Sequence, residues 1–301
     1  MNPILSFVVP VYNAEKTLLR CLAAVFHQRV EAEIVAVDDG SSDGSIALLE
    51  RWAARYPGRI RVLRQEHMGP GTARNRGFRE AQGEFVWFLD ADDWIAPGAA
   101  KLLCGEMERN GADLICFQRR IVKHRSWFPW VPPASVRHRG FSEMSTTMAV
   151  WKSGPVIYTK LFRRDFLART GVAFPDMFGE DNLETPRIVL QAQKILSTDA
   201  ECYVCRRGQA GRSSTGGVTD YAARTVGQLY AGFDERIRSV PEAERAIWNV
   251  LKAKTAEYML KSANTNLEKG IGSADNARIL RAVSARALEE SWPQGGPVRM
   301  E

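Results

Sequence analysis

The chain is expected to be an α/β protein: a mostly parallel, Rossmann-like sheet with helices on both faces, followed by a helical extension. Two observations predict this. Up to residue 118, apolar runs of strand length alternate with segments whose apolar residues recur at helical spacing, and the loops between them are short. From Tyr221 onward only the helical spacing persists, with a glycine break at Gly270–Gly272.

The elements follow in order. Ile4–Val11 is apolar and β-branched, bounded by Pro10 and Asn13, and reads as a buried strand. Leu18, Cys21, Leu22, Val25 and Phe26 mark the apolar face of the first helix. Glu33–Val37 is the second strand. Ile46–Arg55 is a helix with Ser41, Ser42 and Asp43 available as N-caps, and capping is the preferred reading for Ser42 and Asp43. Arg59–Leu63 is a third strand. Thr72–Ala81 is a helix that Gly83 is expected to close. Phe85–Leu89 is the most apolar strand. Ala99–Arg109 is a helix ended by Asn110-Gly111, and Leu114–Phe117 begins a fifth strand.

After Gln118 the rhythm breaks. Residues 119–140 mix Arg119, Arg120, Lys123, Arg125, Arg137 and Arg139 with Trp127, Phe128 and Trp130, and Pro129, Pro132 and Pro133 interrupt any regular element. Order returns with Val156–Phe162, a helix from about Asn182 to Ile195, and a strand near Cys202–Cys205. Arg206–Gly217 reads as a loop, and Trp292–Glu301 as a loose Pro/Gly-rich tail.

Composition bounds the function. The 301 residues suit one large domain, or one domain with an extension, and 45% hydrophobic with 25% charged residues is ordinary for a globular protein. The net charge of +6 allows an anionic partner without choosing it. No apolar run approaches the roughly 18–20 residues of a membrane span. The N-terminus lacks the pattern of a signal peptide, so the expected location is cytoplasmic. The 5 cysteines read as structural, and Cys202–Cys205 lacks the second Cys/His pair that zinc requires.

Ligands of open parallel sheets bind beyond the carboxyl ends of the strands. Those ends deliver Val11-Tyr12-Asn13, Asp38-Asp39-Gly40-Ser41, Glu66-His67-Met68-Gly69 and Asp90-Ala91-Asp92-Asp93. Carboxylates gathered on one edge repel unless a cation joins them. The hard oxygens of Asp90–Asp93 suit Mg²⁺ or Mn²⁺ completed by substrate phosphates. Glycine-rich phosphate loops are absent, so a phosphate would rely on metal and arginine. Arg74 is read either as a solvated helix charge or as part of this edge. Asp181-Asn182-Leu183-Glu184 reads by itself as a helix-capping box.

Together these residues resemble the family 2 glycosyltransferases, inverting nucleotide-sugar enzymes of the GT-A fold. The blocks are Phe7–Asn13, Val37–Gly44, Gly71–Gly77, Phe88–Trp94, Lys160–Arg164 and Gly179-Glu180-Asp181, in family order between about Leu5 and Arg207. The resemblance implies a catalytic domain over 1–217, with a nucleotide-binding half at about 1–118, an acceptor half at about 119–217, and a helical extension over 218–301. Pro10, Val11 and Tyr12 would line the base, Asp39 would bond the uracil edge, Asp38 would support that loop or the ribose, and Arg74 would reach the base. Asp90-Ala91-Asp92 would be the DxD motif, with Asp92 on the metal and Asp90 on the ribose or the metal. Asp181 would be the catalytic base, with Glu180 in reserve. Arg206 and Arg207 would clamp the diphosphate. Here the sequence departs from the family: Cys205 and a Gly/Ser/Arg run stand where a Pro-Gly-Ser turn is usual.

The implied donor is a nucleotide-diphosphate sugar, a UDP-sugar above all, and the implied acceptor is a glycan or lipid-linked sugar in cell-surface polysaccharide synthesis. The insert at 119–140 is ranked first as an acceptor-side lid and second as a contact with anionic lipid at the inner membrane face. Nucleic acid is not an expected partner, since no such motif is present. The C-terminal helices are open to packing, homodimerisation or membrane contact. A sugar-nucleotide nucleotidyltransferase and a catalytically inactive nucleotide- or glycan-binding relative are the alternatives.

Overall fold

The computed structural model describes residues 3–123, 136–207, 220–269 and 273–291. The chain divides into two compact units, Met1–Asp176 with Glu184–Arg206, and Met177–Leu183 with Arg207–Glu301.

The first unit opens as the alternation requires: β1 (Leu5–Val11), α1 (Glu15–Phe26), β2 (Ala32–Asp39), α2 (Ser45–Arg55), β3 (Ile60–Gln65), α3 (Gly69–Glu80) and β4 (Phe85–Phe88). These strands pair in parallel, with β1 between β2 and β4 and β3 outside β2. Every residue of β2 and all but Pro10 of β1 are buried, because helices cover both faces of the sheet.

The chain continues through β5 (Trp94–Ile95), α4 (Ala99–Asn110), β6 (Leu114–Lys123), β7 (Ser142–Met144), α5 (Thr146–Ser153), β8 (Lys160–Arg163), α6 (Arg164–Arg169), α7 (Asp181–Val189) and β9 (Ile195–Arg207). Among the described residues the sheet runs β3-β2-β1-β4-β8-β6-β9-β5, with β7 on β9. Beyond β4 antiparallel pairs extend it, β8 on β4 and β6, and β5 on β9. Its core joins Phe7 to Trp87 and Trp87 to Phe117 at 5.6 and 4.9 Å, and the Trp87 indole donates to the Tyr158 carbonyl at 2.9 Å.

Several expectations are corrected. The helix placed at 72–81 begins at Gly69. Gly83 does not close it; Ala81, in extended backbone, does. Gly83 instead lies against β1, where an added Cβ would come within 2.5 Å of the Ser6 amide. The helix expected to reach Ile195 ends at Val189, and β9 starts at Ile195. Past its end the chain tightens, with the Gln191 and Ala192 amides on the Ile188 and Val189 carbonyls, and the Asp113 carboxylate then accepts the amides of Gln193 and Lys194 at 2.8 and 3.1 Å just before β9. The order expected over Val156–Phe162 is a 3-10 turn, Ile157–Thr159, leading into β8. Gly111, with φ of 62°, caps α4 as the sequence indicates.

The second unit is built from α8 (Asp220–Ser239), α9 (Glu242–Lys269) and α10 (Ala274–Ser291), the helical region read from the sequence. Trp248 of α9 meets Phe233 of α8 edge-on at 6.3 Å, and the Tyr230 hydroxyl bonds Ser284 at 2.9 Å. Lys252, buried on α9, reaches Asp234 of α8 at 2.7 Å and Glu290 of α10 at 3.4 Å. Among the described residues no helix is long and apolar enough to cross a membrane. The Gly270–Gly272 break, the tail from Trp292, most of the 119–140 insert with its Trp and Phe residues, and the 208–217 part of the basic loop lie outside the described residues.

Candidate active site

Three helix N-termini meet the carboxyl edge of β1–β3, and none carries a side-chain cap of its own, because Ala14, Gly44 and Met68 hold the N-cap positions. The caps come from neighbouring segments. Asp43 accepts the amides of Glu15, in α1, and Ser45, in α2. Ser45 accepts the Ala14 amide, and the Glu15 carboxylate accepts the Gly44 amide. Burial works against ionisation of Asp43, but the bonds from Ser45 and Glu15 outweigh it and hold the carboxyl below its usual range. Asp43 thus caps as expected, whereas Ser42 bonds Asn13 instead.

Asp39 caps α3 across the chain. Its two oxygens accept the amides of Met68 and Gly69, both at 2.9 Å, and the Gln65 side chain at 2.7 Å, and one of them lies 2.9 Å from His67 Nδ1. Gly40 makes this possible: its φ is +76°, and a Cβ there would stand 3.0 Å from the His67 amide. Asp38 is also buried. One of its oxygens accepts the Ser41 amide at 3.3 Å, and the other has no partner among the described residues. A buried oxygen in that state is suited to a ligand hydroxyl.

Beside them Tyr12, half-exposed, stacks on His67 with ring centroids 4.0 Å apart and planes 18° apart. Val11, expected to line the base, has its side chain fully buried in the core. Pro10 is partly buried beside it.

The acidic turn after β4 is held from three directions. Arg74, from α3, bonds Asp90 at 2.8 Å and is 6% exposed, which removes the reading of a solvated charge. Asp93 accepts the Arg206 amide at 2.8 Å and a hydrogen bond from the buried Tyr203 hydroxyl, which in turn accepts the Asp90 amide at 3.2 Å. Ala91 is buried between them. Asp92 receives no hydrogen bond from a described side chain. Burial, then the charge of Asp90, pushes its carboxyl up to about 6. Burial, then Asp92 and Asp90, raises Asp93 well above its ordinary value.

These carboxyls fit a divalent cation: hard oxygens, partly desolvated, with their mutual repulsion only partly offset at Asp92 by a backbone hydrogen bond and the Arg206 charge. Among the described residues no three His, Cys, Asp or Glu side chains form a complete cage, so a cation would take further oxygens from a diphosphate and water. The rim is cationic. Arg20 lies 4.7 Å over Trp94 and is held below its usual proton affinity by burial and by Arg206. Arg207 ends β9.

Glu180 and Asp181 belong to the second unit, Glu180 buried and Asp181 at the first position of α7. Asn182 donates to Asp181 at 3.2 Å and to the Gly179 carbonyl at 3.1 Å. The capping box is not completed, because Glu184 is taken up by the Ala173 amide and Arg187.

The cysteines are all free, as expected, and four of the five are buried. Sequence reasoning places His67 at this edge without giving it a role, and misses Tyr203. The available signal for His67 is its place two residues after the third strand. For Tyr203 none is local, since its partners lie more than a hundred residues away.

Residues 6–171 match the sequence model of glycosyl transferase family 2. The uncharacterized glycosyltransferase EpsJ of Bacillus subtilis (strain 168) is 28% identical over 216 residues, covering 68% of this chain and 62% of the relative. The poly(ribitol-phosphate) beta-N-acetylglucosaminyltransferase TarS of Staphylococcus aureus (strain MW2) is 30% identical over 213 residues, covering 67% of this chain and 35% of the relative. The chain therefore spans less than two-thirds of either relative. Solved structures share the fold: S. aureus TarS 1–349 in complex with UDP-GlcNAc at a TM-score of 0.61 and 19% identity, covering 95% of this chain and 90% of that one, and the mannosyltransferase PcManGT from Pyrobaculum calidifontis in complex with GDP-Man and Mn²⁺ at 0.59 and 19%, covering 96% and 81%.

Proposed function

Because the chain belongs to glycosyl transferase family 2, we propose that it transfers a sugar, with inversion, from a nucleotide-diphosphate donor to a hydroxyl of a glycan or lipid-linked acceptor in surface polysaccharide synthesis. The preferred donor is a UDP-sugar. The observation that carries this reading is the acidic turn at the sheet's carboxyl edge, fixed by Arg74, Tyr203 and the Arg206 amide while Asp92 stays open. TarS, a structural neighbour, is solved with UDP-GlcNAc and with UDP, which supports the choice of nucleotide.

In this reading Tyr12 stacks the base, Asp39 accepts its ring N–H, and Asp38 offers its unpartnered oxygen to the ribose. Asp92 and Asp90 would hold a divalent cation, which when bound neutralises charge on the departing diphosphate. Arg206 would add positive charge beside Asp92, and Arg207 is assigned to the diphosphate from the sequence resemblance alone. Asp181 accepts the proton of the acceptor hydroxyl as the new bond forms. The displacement is direct, so no nucleophile on the protein is required. Bringing donor and acceptor together lowers the remaining barrier. The test is calorimetry with UDP: affinity rises when Mn²⁺ is added, and Asp181→Asn keeps that binding while transfer is abolished. Full transfer by Asp181→Asn would remove the base assignment, and a metal-independent UDP affinity would remove the DxD assignment.

A further inference from the structure

We propose that His67 occupies the nucleobase subsite of the ligand-free protein and sets how tightly nucleotide binds; this rests on the assignment of Tyr12 and Asp39 to the base. A pyrimidine held by those two residues would lie flat on the Tyr12 ring and present a ring N–H to Asp39. The His67 imidazole does both. It stacks on Tyr12 at 4.0 Å and 18°, and its Nδ1 lies 2.9 Å from Asp39 Oδ2. Nδ1 is also 3.2 Å from the Asp39 carbonyl, so both available acceptors call for the N–H at that nitrogen.

The two ring planes are already at a single contact distance, so no second ring fits between them. On this face of Tyr12, base and imidazole exclude one another. Exchange has to be a side-chain movement. The backbone under His67 is fixed, with the Met68 and Gly69 amides on Asp39 and Gly40 pressed against the His67 amide. The imidazole itself is half-exposed, with 52% of its side-chain surface open, and can rotate into solvent. An incoming base recovers the bond to Asp39 and the stack on Tyr12 that His67 gives up, so its net gain is reduced by what the imidazole already held.

The experiment is calorimetry at fixed Mn²⁺ with UDP and with pyrophosphate, which has no base, on the full chain and on His67→Ala and Tyr12→Ala. His67→Ala should bind UDP about three- to tenfold more tightly, the equivalent of one net hydrogen bond and ring contact no longer displaced. Its affinity for pyrophosphate should not change. Tyr12→Ala should bind UDP about tenfold more weakly. If His67→Ala binds UDP equally or more weakly while Tyr12→Ala loses affinity, the base subsite stands and the role given to His67 is wrong. Equal tightening for UDP and pyrophosphate also overturns it, since the effect would then not lie at the base. An unchanged UDP affinity in Tyr12→Ala overturns the base assignment and the inference with it.

Discussion

Asp92→Asn should make the metal-free protein more stable at neutral pH while removing its response to metal. Asp92 is partly buried beside Asp90, and its carboxyl rises from 3.8 to about 6, with burial the larger cause and the Asp90 charge the second. A rise of that size costs the folded state about 3 kcal/mol once the group is ionised. Some of Asp92 still meets water, so the expected gain on neutralising it is ~1–3 kcal/mol. The sign follows from proton linkage. As pH increases through 4 the unfolded chain ionises first, while the folded state keeps its proton until about 6. Stability therefore falls across that window, and the full cost is present above it. Asparagine carries no such charge. Urea unfolding in EDTA, followed by tryptophan fluorescence, should show a higher midpoint for the variant at pH 7 and the same midpoint as the parent at pH 4. Mn²⁺ with UDP should raise the parent's midpoint but not the variant's. A variant less stable than the parent at pH 7 in EDTA would refute the reasoning, because Asp92 would then be making a bond that holds the turn.

Other expectations can be checked alongside. Tyr203→Phe leaves the Asp90 amide without its acceptor and Asp93 with the Arg206 amide but without the hydroxyl donor, and should cost about 1–3 kcal/mol in unfolding free energy while slowing transfer. Gly77→Ala would place a Cβ 2.5 Å from Val8 Cγ1 beneath α3, and should lower stability by about 1–3 kcal/mol in the same urea assay. Lys252→Met removes a buried cation whose partners Asp234 and Glu290 are 38% and 45% exposed, so it leaves no buried charge behind. It should change thermal stability by less than about 1 kcal/mol. Asp181→Asn should lower the transfer rate by at least about a hundredfold with little change in the apparent donor KM, read from steady-state kinetics.

The parallel half of the fold is legible in the sequence because two-sided burial forces unbroken apolar strands, and the covering helices repeat at helical spacing. The antiparallel half is much less so. β5 has two residues and β7 three, and such short strands exist through their pairing to β9 rather than through any pattern of their own. The end of α7 is not legible because the segment between Val189 and Ile195 is held by tertiary bonds, among them those to the distant Asp113 carboxylate. In the candidate site, the motif residues could be named from sequence, but their local duties could not. Asp39 reads as a ligand for a base, whereas the structure also makes it the cap of α3. The hint lies in Met68-Gly69-Pro70, a helix start with no capping residue of its own, which calls for an acceptor from elsewhere. In sequence Arg74 stays open between solvent and site, because only the tertiary fold brings Asp90 to it.

The central claim, that this chain turns over a nucleotide-diphosphate sugar with inversion, is tested most directly by incubating the protein and Mn²⁺ with a panel of nucleotide sugars and following hydrolysis by NMR. The account predicts release of UDP from a UDP-sugar, with the freed sugar first appearing in the opposite anomeric configuration. Absence of UDP release across the panel, together with pyrophosphate formation from UTP and a sugar 1-phosphate, would contradict it.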